Sequence, residues 1–286
     1  MSRSISEALA ETTRTLNDAG ISEARRDAGS LLASLLGQDR TFLITHSETA
    51  LDDDQLMVFR KQVERRANGE PLQYITGIQE FFGLTFEVNS NALIPRPETE
   101  LLVESALEVM DSLSKSPFIL DVGTGTGCIT ISLLHERPTA RAIALDLSAA
   151  AIQLAMRNAV RNLVRERITF LAADALSSLS EQPLFDLVVS NPPYIADSEW
   201  ATLQREVREH EPRLALTSGA DGLNMIRRLL SETVPCLGPG GYLIFEMGHD
   251  QRVAVEQAID NQVWDTIAIH KDLQGISRTV VLQKRS

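Results

Sequence analysis

An amide side chain, two prolines and an aromatic ring follow one another in the stretch Asn191-Pro192-Pro193-Tyr194. The stretch comes directly after 184–190, a mostly apolar run rich in branched residues that predicts a buried parallel strand. Proline lacks the backbone N–H and fixes φ, so the strand must end there and continue as a stiff, extended loop. Ligands of open α/β sheets bind beyond the carboxyl ends of the strands, so we expect this loop to border a binding site.

Attack by a planar nitrogen is the chemistry that this loop suits. The lone pair of an amide or aromatic amine is delocalised, which makes its nitrogen a poor nucleophile. The Asn191 side-chain oxygen and the Pro192 carbonyl each offer an acceptor for one N–H, and Tyr194 offers a stacking surface. We therefore predict that Asn191, Pro192 and Tyr194 hold the planar nitrogen and take part in catalysis, while the two prolines keep the acceptors in place. The alternative is an ordinary strand exit, because Asn-Pro commonly opens a turn.

A second candidate site is the glycine-rich turn 121–127, Asp-Val-Gly-Thr-Gly-Thr-Gly, between a predicted strand (118–122) and a predicted helix. Glycines in such a turn let a ligand approach the backbone closely. The Gly-x-Gly-x-x-Gly spacing of dinucleotide sites fails because Cys128 stands where the third glycine belongs, and the Gly-Lys-Ser/Thr of phosphate loops is absent. A nucleoside without phosphates that carries positive charge near Asp121 fits better. S-adenosylmethionine, a sulfonium, meets both conditions.

Acidic residues follow the next two predicted strands. Asp146 ends the strand 142–145, where a carboxylate can accept from both ribose hydroxyls. Asp174 comes just after the strand 168–171 and can accept from the adenine amino group, with the Ala175 backbone N–H facing a ring nitrogen. Asp146 alone would also suit a helix N-cap. The predicted cofactor-binding residues of this part of the chain are Gly123, Thr124, Gly125, Thr126, Gly127, Asp146, Asp174 and Ala175.

Strands and helices alternate from about residue 117 onward, which predicts an α/β fold with a doubly wound parallel sheet. The last predicted strands are 241–245 and a closing pair, 263–269 and 279–283, that adds an antiparallel edge.

The beginning of the chain is different, because its apolar residues have helical spacing and no catalytic constellation is found there. Ser22 is predicted to cap the second helix, and Asp52 begins an acidic run that suits a helix N-terminus. We predict a helical substrate-binding domain over 1–75, a hairpin and linker over 76–97, and a catalytic domain over 98–286.

Composition narrows the class of protein. Lys and Arg number 27 against 39 Asp and Glu, a net charge of −12, which disfavours stable nucleic-acid binding because that needs clustered positive charge. No apolar run approaches the roughly 20 residues of a membrane span, and the first residues lack the apolar core of a signal peptide. Two distant cysteines and five scattered histidines predict no disulfide and no metal site. We expect a cytoplasmic, monomeric protein that does not bind membranes.

Over nearly its whole length the chain closely resembles the HemK/PrmC family of protein-(glutamine-N5) methyltransferases, which modify peptide-chain release factors. Asn-Pro-Pro-Tyr by itself is shared with adenine-N6 and cytosine-N4 DNA methyltransferases, so it indicates only the type of reaction. The stretch Ile-Pro-Arg-Pro-Glu-Thr-Glu is far more specific. The matching segments are the helical amino-terminal module, 93–100, 121–127, 191–195, 211–216 with Gly219, Asp221 and Gly222, 246–251 and 272–278.

The resemblance implies a class I S-adenosylmethionine-dependent methyltransferase with a Rossmann-like sheet. Its substrate would be the glutamine of a release factor's Gly-Gly-Gln motif, methylated on the side-chain N5 by direct in-line displacement, with S-adenosylhomocysteine as the other product. Arg96 and Glu98 would belong to a loop that closes over cofactor and glutamine, which makes Arg96 a predicted substrate-binding residue. Family members often have an aromatic residue where Ala175 stands, so at this position the resemblance implies a backbone contact to adenine. The resemblance also implies that Asn191 contacts the cofactor and that the substrate is bound by Asn191, Pro192, Pro193 and Tyr194.

Two alternatives remain open. The first keeps the chemistry and changes the substrate to glutamine of ribosomal protein L3 or to adenine N6 in nucleic acid. The second is a cofactor-binding protein without catalysis that acts as an assembly or regulatory partner, and the intact Asn191 loop argues against it.

Overall fold

The computed structural model describes residues 3–174 and 182–285. The α-helices of the described residues are α1 (Ile5–Asp18), α2 (Ala24–Leu36), α3 (Arg40–Thr45), α4 (Asp53–Ala67), α5 (Leu72–Thr76), α6 (Glu100–Met110), α7 (Cys128–Glu136), α8 (Ala149–Arg161), α9 (Arg205–His210), α10 (Asn224–Glu232) and α11 (Arg252–Ala258). The strands are β1 (Arg3–Ser4), β2 (Ala50–Leu51), β3 (Ile78–Phe81), β4 (Leu84–Glu87), β5 (Phe118–Val122), β6 (Arg141–Asp146), β7 (Ile168–Ala172), β8 (Phe185–Ser190), β9 (Leu237–Glu246), β10 (Trp264–Lys271) and β11 (Ser277–Lys284).

The chain divides into two compact units, of which the first is mostly helical. It comprises the residues up to Ile78 together with Gln204–His210, the segment that contains α9. α1, α2 and α4 pack around an apolar core in which Leu16, Leu31 and Phe59 are almost completely buried. Amphipathic helices of this kind gain most of their stability from burying one apolar face.

The helix starts of this unit follow from local sequence only in part. The acidic run at Asp52 lies at the N-terminus of α4, as predicted, and Asp52 also caps the helix, since its side chain accepts from the Gln55 backbone N–H in a capping box. The predicted Ser22 cap is wrong, because α2 begins at Ala24 and Glu23 occupies the N-cap position without a side-chain cap.

A buried cation joins three segments of the helical unit. Arg66 of α4 donates from Nε to Asp27 of α2 at 2.7 Å and from Nη1 to Glu206 of α9 at 2.8 Å. The side chains of Arg66 and Asp27 are only 9% and 6% exposed. Burying such charges is tolerable because each is paired and hydrogen-bonded.

The second unit is built on a seven-stranded sheet with the order β10-β11-β9-β8-β5-β6-β7. β7, β6, β5, β8 and β9 are parallel, while β11 runs antiparallel to β9 and β10 antiparallel to β11. The predicted doubly wound α/β fold is therefore confirmed. Because β11 inserts between β9 and β10, only β10 of the predicted closing pair forms the edge.

The central strands are buried on both faces, as parallel strands between helix layers must be. Leu120 and Val188 point into one apolar cluster, and Ile119, Leu187 and Val189 into the other. β5 pairs with β6 on one side and with β8 on the other, so the order of the strands reverses at β5. Such a switch point opens a crevice at the carboxyl ends of the strands.

β9 is longer than its predicted core, 241–245. It starts at Leu237 and includes a Gly-Pro-Gly-Gly run that by itself predicts a turn. Pairing with β8 jumps in register between Leu237 and Tyr242, which absorbs the extra residues as a bulge. β3 and β4 form the predicted hairpin around Gly83.

Candidate functional site

A cleft of about 450 Å³ opens at the carboxyl ends of β5, β6, β7 and β8. It is lined by the glycine turn, by residues after β6 and β7, by Asn191 and Pro193, and by segments 90–96 and 212–218. This volume is typical of a small-molecule site. Pro192 is buried, and neither Pro192 nor Tyr194 belongs to the lining.

β6 holds the glycine turn in place. The backbone N–H groups of Gly123 and Thr124 both donate to the Leu145 carbonyl, at 2.9 and 2.8 Å. Gly127 has φ +82°, and a Cβ there would lie 2.8 Å from Ile131 Cδ1, so glycine alone fits without strain. The turn is therefore fixed in shape where it lines the cleft.

Asp121, the first residue of this turn, is completely buried. Its Oδ2 accepts from the hydroxyls of Thr124 and Thr130 at 2.7 and 2.6 Å, while Oδ1 has no hydrogen-bond partner among the described residues. Burial raises the pKa of this carboxyl to about 6. Asp121 itself does not line the cleft, so its carboxyl contributes negative potential next to the glycine turn and makes no direct contact with the cleft.

Asp146 lines the cleft at the end of β6. Its Oδ2 accepts from the Gly125 N–H and its Oδ1 from the Ser148 N–H, each at 2.8 Å. Burial raises the pKa of Asp146, and the two backbone bonds counteract this effect. The helix N-cap alternative for Asp146 is wrong, because Ser148 caps α8.

Asp174 lines the cleft beyond β7 and is already engaged by a cation. Arg228 of α10 donates from Nη1 to Asp174 Oδ1 at 2.8 Å and also pairs with Glu232. Arg228 lines the cleft as well, although no motif in the sequence pointed to it. The predicted contact at Ala175 lies outside the described residues.

The Asn191 side chain is held by a short chain of hydrogen bonds. Its Nδ2 donates to Thr99 Oγ1 at 2.9 Å, and the Thr99 hydroxyl donates to Glu246 Oε2 at 2.7 Å. The Tyr194 hydroxyl donates to the other oxygen, Glu246 Oε1, at 3.2 Å. Burial raises the pKa of Tyr194, and the nearby Glu246 carboxylate raises it further. Within the described part of the chain, nothing donates to Asn191 Oδ1 or to the Pro192 carbonyl.

Two neighbouring segments brace the loop. Gln251 Nε2 donates to the Tyr194 carbonyl at 2.8 Å, and the Ile195 N–H donates to the Leu216 carbonyl at 2.9 Å. Gly222, at φ +74°, passes so close that a Cβ would lie 2.2 Å from the Tyr194 carbonyl oxygen. The segments 211–222 and 246–251, singled out by resemblance alone, thus support the Asn191 loop.

Arg96 has a partner of its own at the cleft. Its Nη2 donates to Glu211 Oε1 at 2.5 Å, and the Ile94 N–H donates to Glu211 Oε2 at 3.4 Å. The Glu211 side chain is 1% exposed, whereas a third of Arg96 remains accessible. The pair fastens two segments that line the cleft to each other.

Across residues 3–174 and 182–285, no three His, Cys, Asp or Glu side chains are grouped so that they could hold a metal ion. None of the helices described is both long enough and apolar enough to cross a bilayer.

Comparison with known proteins identifies both parts of the chain. A family profile described as the PrmC N-terminal domain matches residues 7–77, and one described as the methyltransferase small domain matches residues 97–220. The release factor glutamine methyltransferase of Koribacter versatilis is 37% identical over 280 residues, 98% of each chain. That of Burkholderia pseudomallei is 43% identical over 256 residues, 88% of this chain and 89% of the relative. The chain belongs to the release factor glutamine methyltransferase family.

Membership in this family makes the chain a methyltransferase and confirms the resemblance seen in its motifs. Solved structures agree on the fold. The catalytic domain of hMettl16, solved in complex with the MAT2A 3′UTR hairpin 1, superposes with a TM-score of 0.58 at 16% identity, covering 89% of this chain and 90% of that one. A methyltransferase from Pyrococcus furiosus gives a TM-score of 0.52 at 15% identity, covering 79% and 99%.

Two residues of the site, Thr99 and Glu246, were not predicted from the sequence of this release factor glutamine methyltransferase. Thr99 lines the cleft and Glu246 is almost completely buried, and together they contact both polar side chains of the Asn191 loop. Each lies in a segment that carried the resemblance. The signal was present in the motifs, but no local rule joins residues 147 positions apart.

Proposed function

We propose that the chain transfers a methyl group from S-adenosylmethionine to the side-chain nitrogen of the glutamine in the Gly-Gly-Gln motif of a peptide-chain release factor. The observation that carries the proposal is Asn191, whose Nδ2 is engaged by Thr99 so that Oδ1 remains as an acceptor at the cleft. Relatives at 37% and 43% identity that bear the release factor name support the substrate.

The described residues fit S-adenosylmethionine. The cleft has a suitable volume and Asp146 lines it. Asp121 does not line the cleft, but its buried carboxyl next to the glycine turn supplies negative potential that favours a cationic ligand. The proposed cofactor contacts are those of the glycine turn 123–127, Asp146, Asp174, Ala175 and Asn191. When bound, S-adenosylmethionine supplies the methyl group that the glutamine nitrogen takes in one in-line displacement, leaving S-adenosylhomocysteine.

The Asn191 loop prepares the nitrogen. Asn191 Oδ1 and the Pro192 carbonyl each accept one N–H of the substrate amide, which aims its lone pair out of the plane. Both acceptors belong to a braced loop, so little reorganisation accompanies the reaction. The proton that the methylated nitrogen no longer needs passes to water. Pro193, which lines the cleft, flanks the flat amide. The Tyr194 ring lies outside the lining and is fixed through its hydroxyl, and we propose that it reaches the amide only when the glutamine enters beside the loop.

Arg96 completes the substrate side. Through Glu211 it holds the segment 93–97 against 211–216, and we assign to this pair the shape of the cleft mouth that receives the glutamine. The helical domain, 1–75, adds affinity for the intact release factor. The two cysteines are free and buried, which suits the reducing cytoplasm, and we propose that the protein acts there as a monomer.

Label transfer tests the proposal directly. The protein and methyl-labelled S-adenosylmethionine are incubated with one candidate substrate in each reaction. The candidates are an unmodified release factor, the same factor with the glutamine of Gly-Gly-Gln replaced by alanine, ribosomal protein L3 and duplex DNA. We expect label on the intact factor and none on the variant. Label on L3 or DNA alone would show that the proposed substrate is wrong. Cofactor binding without transfer of label to any candidate would favour the non-catalytic alternative.

A further inference from the structure

A buried carboxylate lies behind the Asn191 loop and takes no part in the reaction as written above. Glu246, the last residue of β9, is 1% exposed. The hydroxyls of Thr99 and Tyr194 each donate to one of its oxygens, at 2.7 and 3.2 Å. Such a group is costly to bury, which calls for a reason beyond packing.

The number of available protons fixes the polarity of this cluster. An ionised carboxylate only accepts hydrogen bonds, so the single proton of the Thr99 hydroxyl is committed to Glu246. The Thr99 oxygen can then only accept from its other neighbour. Asn191 meets that demand with Nδ2, at 2.9 Å, which turns the Asn191 amide so that Oδ1 is its free end.

We propose that Glu246 sets the orientation of the Asn191 amide through Thr99, so that the enzyme presents an acceptor and not a donor to the substrate nitrogen. Glu246 and Thr99 are positioning residues, since they act through Asn191. The inference rests on the proposed function, in which the substrate NH2 donates to Asn191 Oδ1.

Replacing the charge reverses the chain of donors. In Glu246→Gln the new oxygen can keep accepting from Tyr194 while the new NH2 donates to Thr99, an arrangement that an ionised carboxylate does not allow. The Thr99 hydroxyl is then free to donate to Asn191 Oδ1, which lets the Asn191 amide turn over. Its NH2 would face the NH2 of the substrate, and two donors cannot bond.

The decisive variants are Glu246→Gln, Thr99→Val and Thr99→Ser in the full-length enzyme. We expect the first two to lower kcat by about 100-fold, as the loss of a preorganised polar contact to the reacting group does. Thr99→Ser keeps the hydroxyl and should retain near-normal kcat. Thr99→Val keeps the shape of the side chain but lacks the hydroxyl, so its kcat should fall. Binding of S-adenosylhomocysteine, measured by calorimetry, should change less than twofold in all three and serves as the folding control.

A pH profile separates this role from a merely structural one. The charged or titratable groups around Glu246 are Tyr194, Arg278, Glu98 and Cys128. Burial raises the pKa of Glu246, while the two hydroxyl bonds and Arg278 lower it again. A protonated Glu246 can donate to Thr99, so wild-type kcat should fall on the acid side, and this limb should be missing in Glu246→Gln.

Normal kcat in Thr99→Val, equal kcat in the two Thr99 variants, or an unchanged acid limb in Glu246→Gln would each overturn the inference. Failure of the proposed function has a different signature, because wild-type enzyme would then place no label on the release factor.

Discussion

At the residue scale, the proposed reaction depends on one side-chain oxygen. Asn191 Oδ1 is the acceptor that remains at the cleft once Nδ2 donates to Thr99. Most other polar groups around it are already committed: Thr99 and Tyr194 to Glu246, and Arg96 to Glu211. The chemistry of the cleft is therefore concentrated in a group that is oriented in advance.

Asn191→Ala should lower kcat by about 100-fold to 1,000-fold, the usual effect of removing one preorganised polar contact to the reacting group. Affinity for S-adenosylhomocysteine should stay within a few-fold, since most of the proposed cofactor contacts belong to other residues. Label transfer to a release factor and calorimetry measure the two quantities.

Asn261→Ala is the matched control, because Asn261 is an exposed asparagine in the turn before β10. It should behave as wild type. If the Asn191 variant kept most of its turnover, the orienting mechanism would be wrong, whatever its affinity for the cofactor.

At the scale of elements, the cleft depends on a turn that only glycine can make. Gly127→Ala forces an L side chain to φ +82° and brings Cβ to 2.8 Å from Ile131 Cδ1. We expect a loss of stability of about 1–3 kcal/mol from strain at a left-handed position, and weaker cofactor binding because the turn shifts. Thermal unfolding with and without S-adenosylhomocysteine measures both effects.

A second glycine supplies the control for this substitution. Gly29 lies within α2, and a Cβ there meets nothing within 4 Å. Gly29→Ala should raise stability by about 0.5–1 kcal/mol, since alanine is the better helix former. Equal effects of the two substitutions would refute the strain assigned to the turn.

Elements with a local sequence signal were predicted correctly, whereas features that depend on pairing between distant segments were not. The strands β5 and β8 and the turn between β5 and α7 follow from runs of apolar residues and from glycine, which are local signals. The position of β11 between β9 and β10 is set by pairing between distant strands, which no window of sequence contains. Thr99 and Glu246 were missed for the same reason, and the start of α2 because its N-terminus has no capping side chain.

At the scale of the whole molecule, the chain enters the helical unit a second time, after β8, the fourth strand of the seven-stranded sheet in chain order. α9, at Arg205–His210, belongs to that unit and is joined to α2 and α4 by Arg66. Arg66→Met should destabilise the protein by about 3–5 kcal/mol, because Asp27 would stay buried without its partner. Urea unfolding followed by circular dichroism measures the change.

Arg65→Met is the control on the same helix. Arg65 pairs with Glu70, but almost half of its side chain is exposed, so its loss should cost no more than about 1 kcal/mol. A similar cost for both arginines would mean that burial of the Arg66 cluster contributes nothing special.

The helical domain is expected to make the enzyme prefer an intact release factor over a short peptide. A tripeptide fills only the cleft, whereas an intact release factor can also contact the helical domain, and two linked contacts bind more tightly than either alone. We expect the full-length enzyme to have a kcat/KM for the intact factor at least tenfold above that for a short Gly-Gly-Gln peptide. Deleting residues 1–75 should remove this preference and leave the rate on the peptide unchanged. The rate on the peptide also shows whether the truncated enzyme is folded. If the truncated enzyme methylates the intact factor as fast as the full-length enzyme does, the catalytic domain alone recognises the factor.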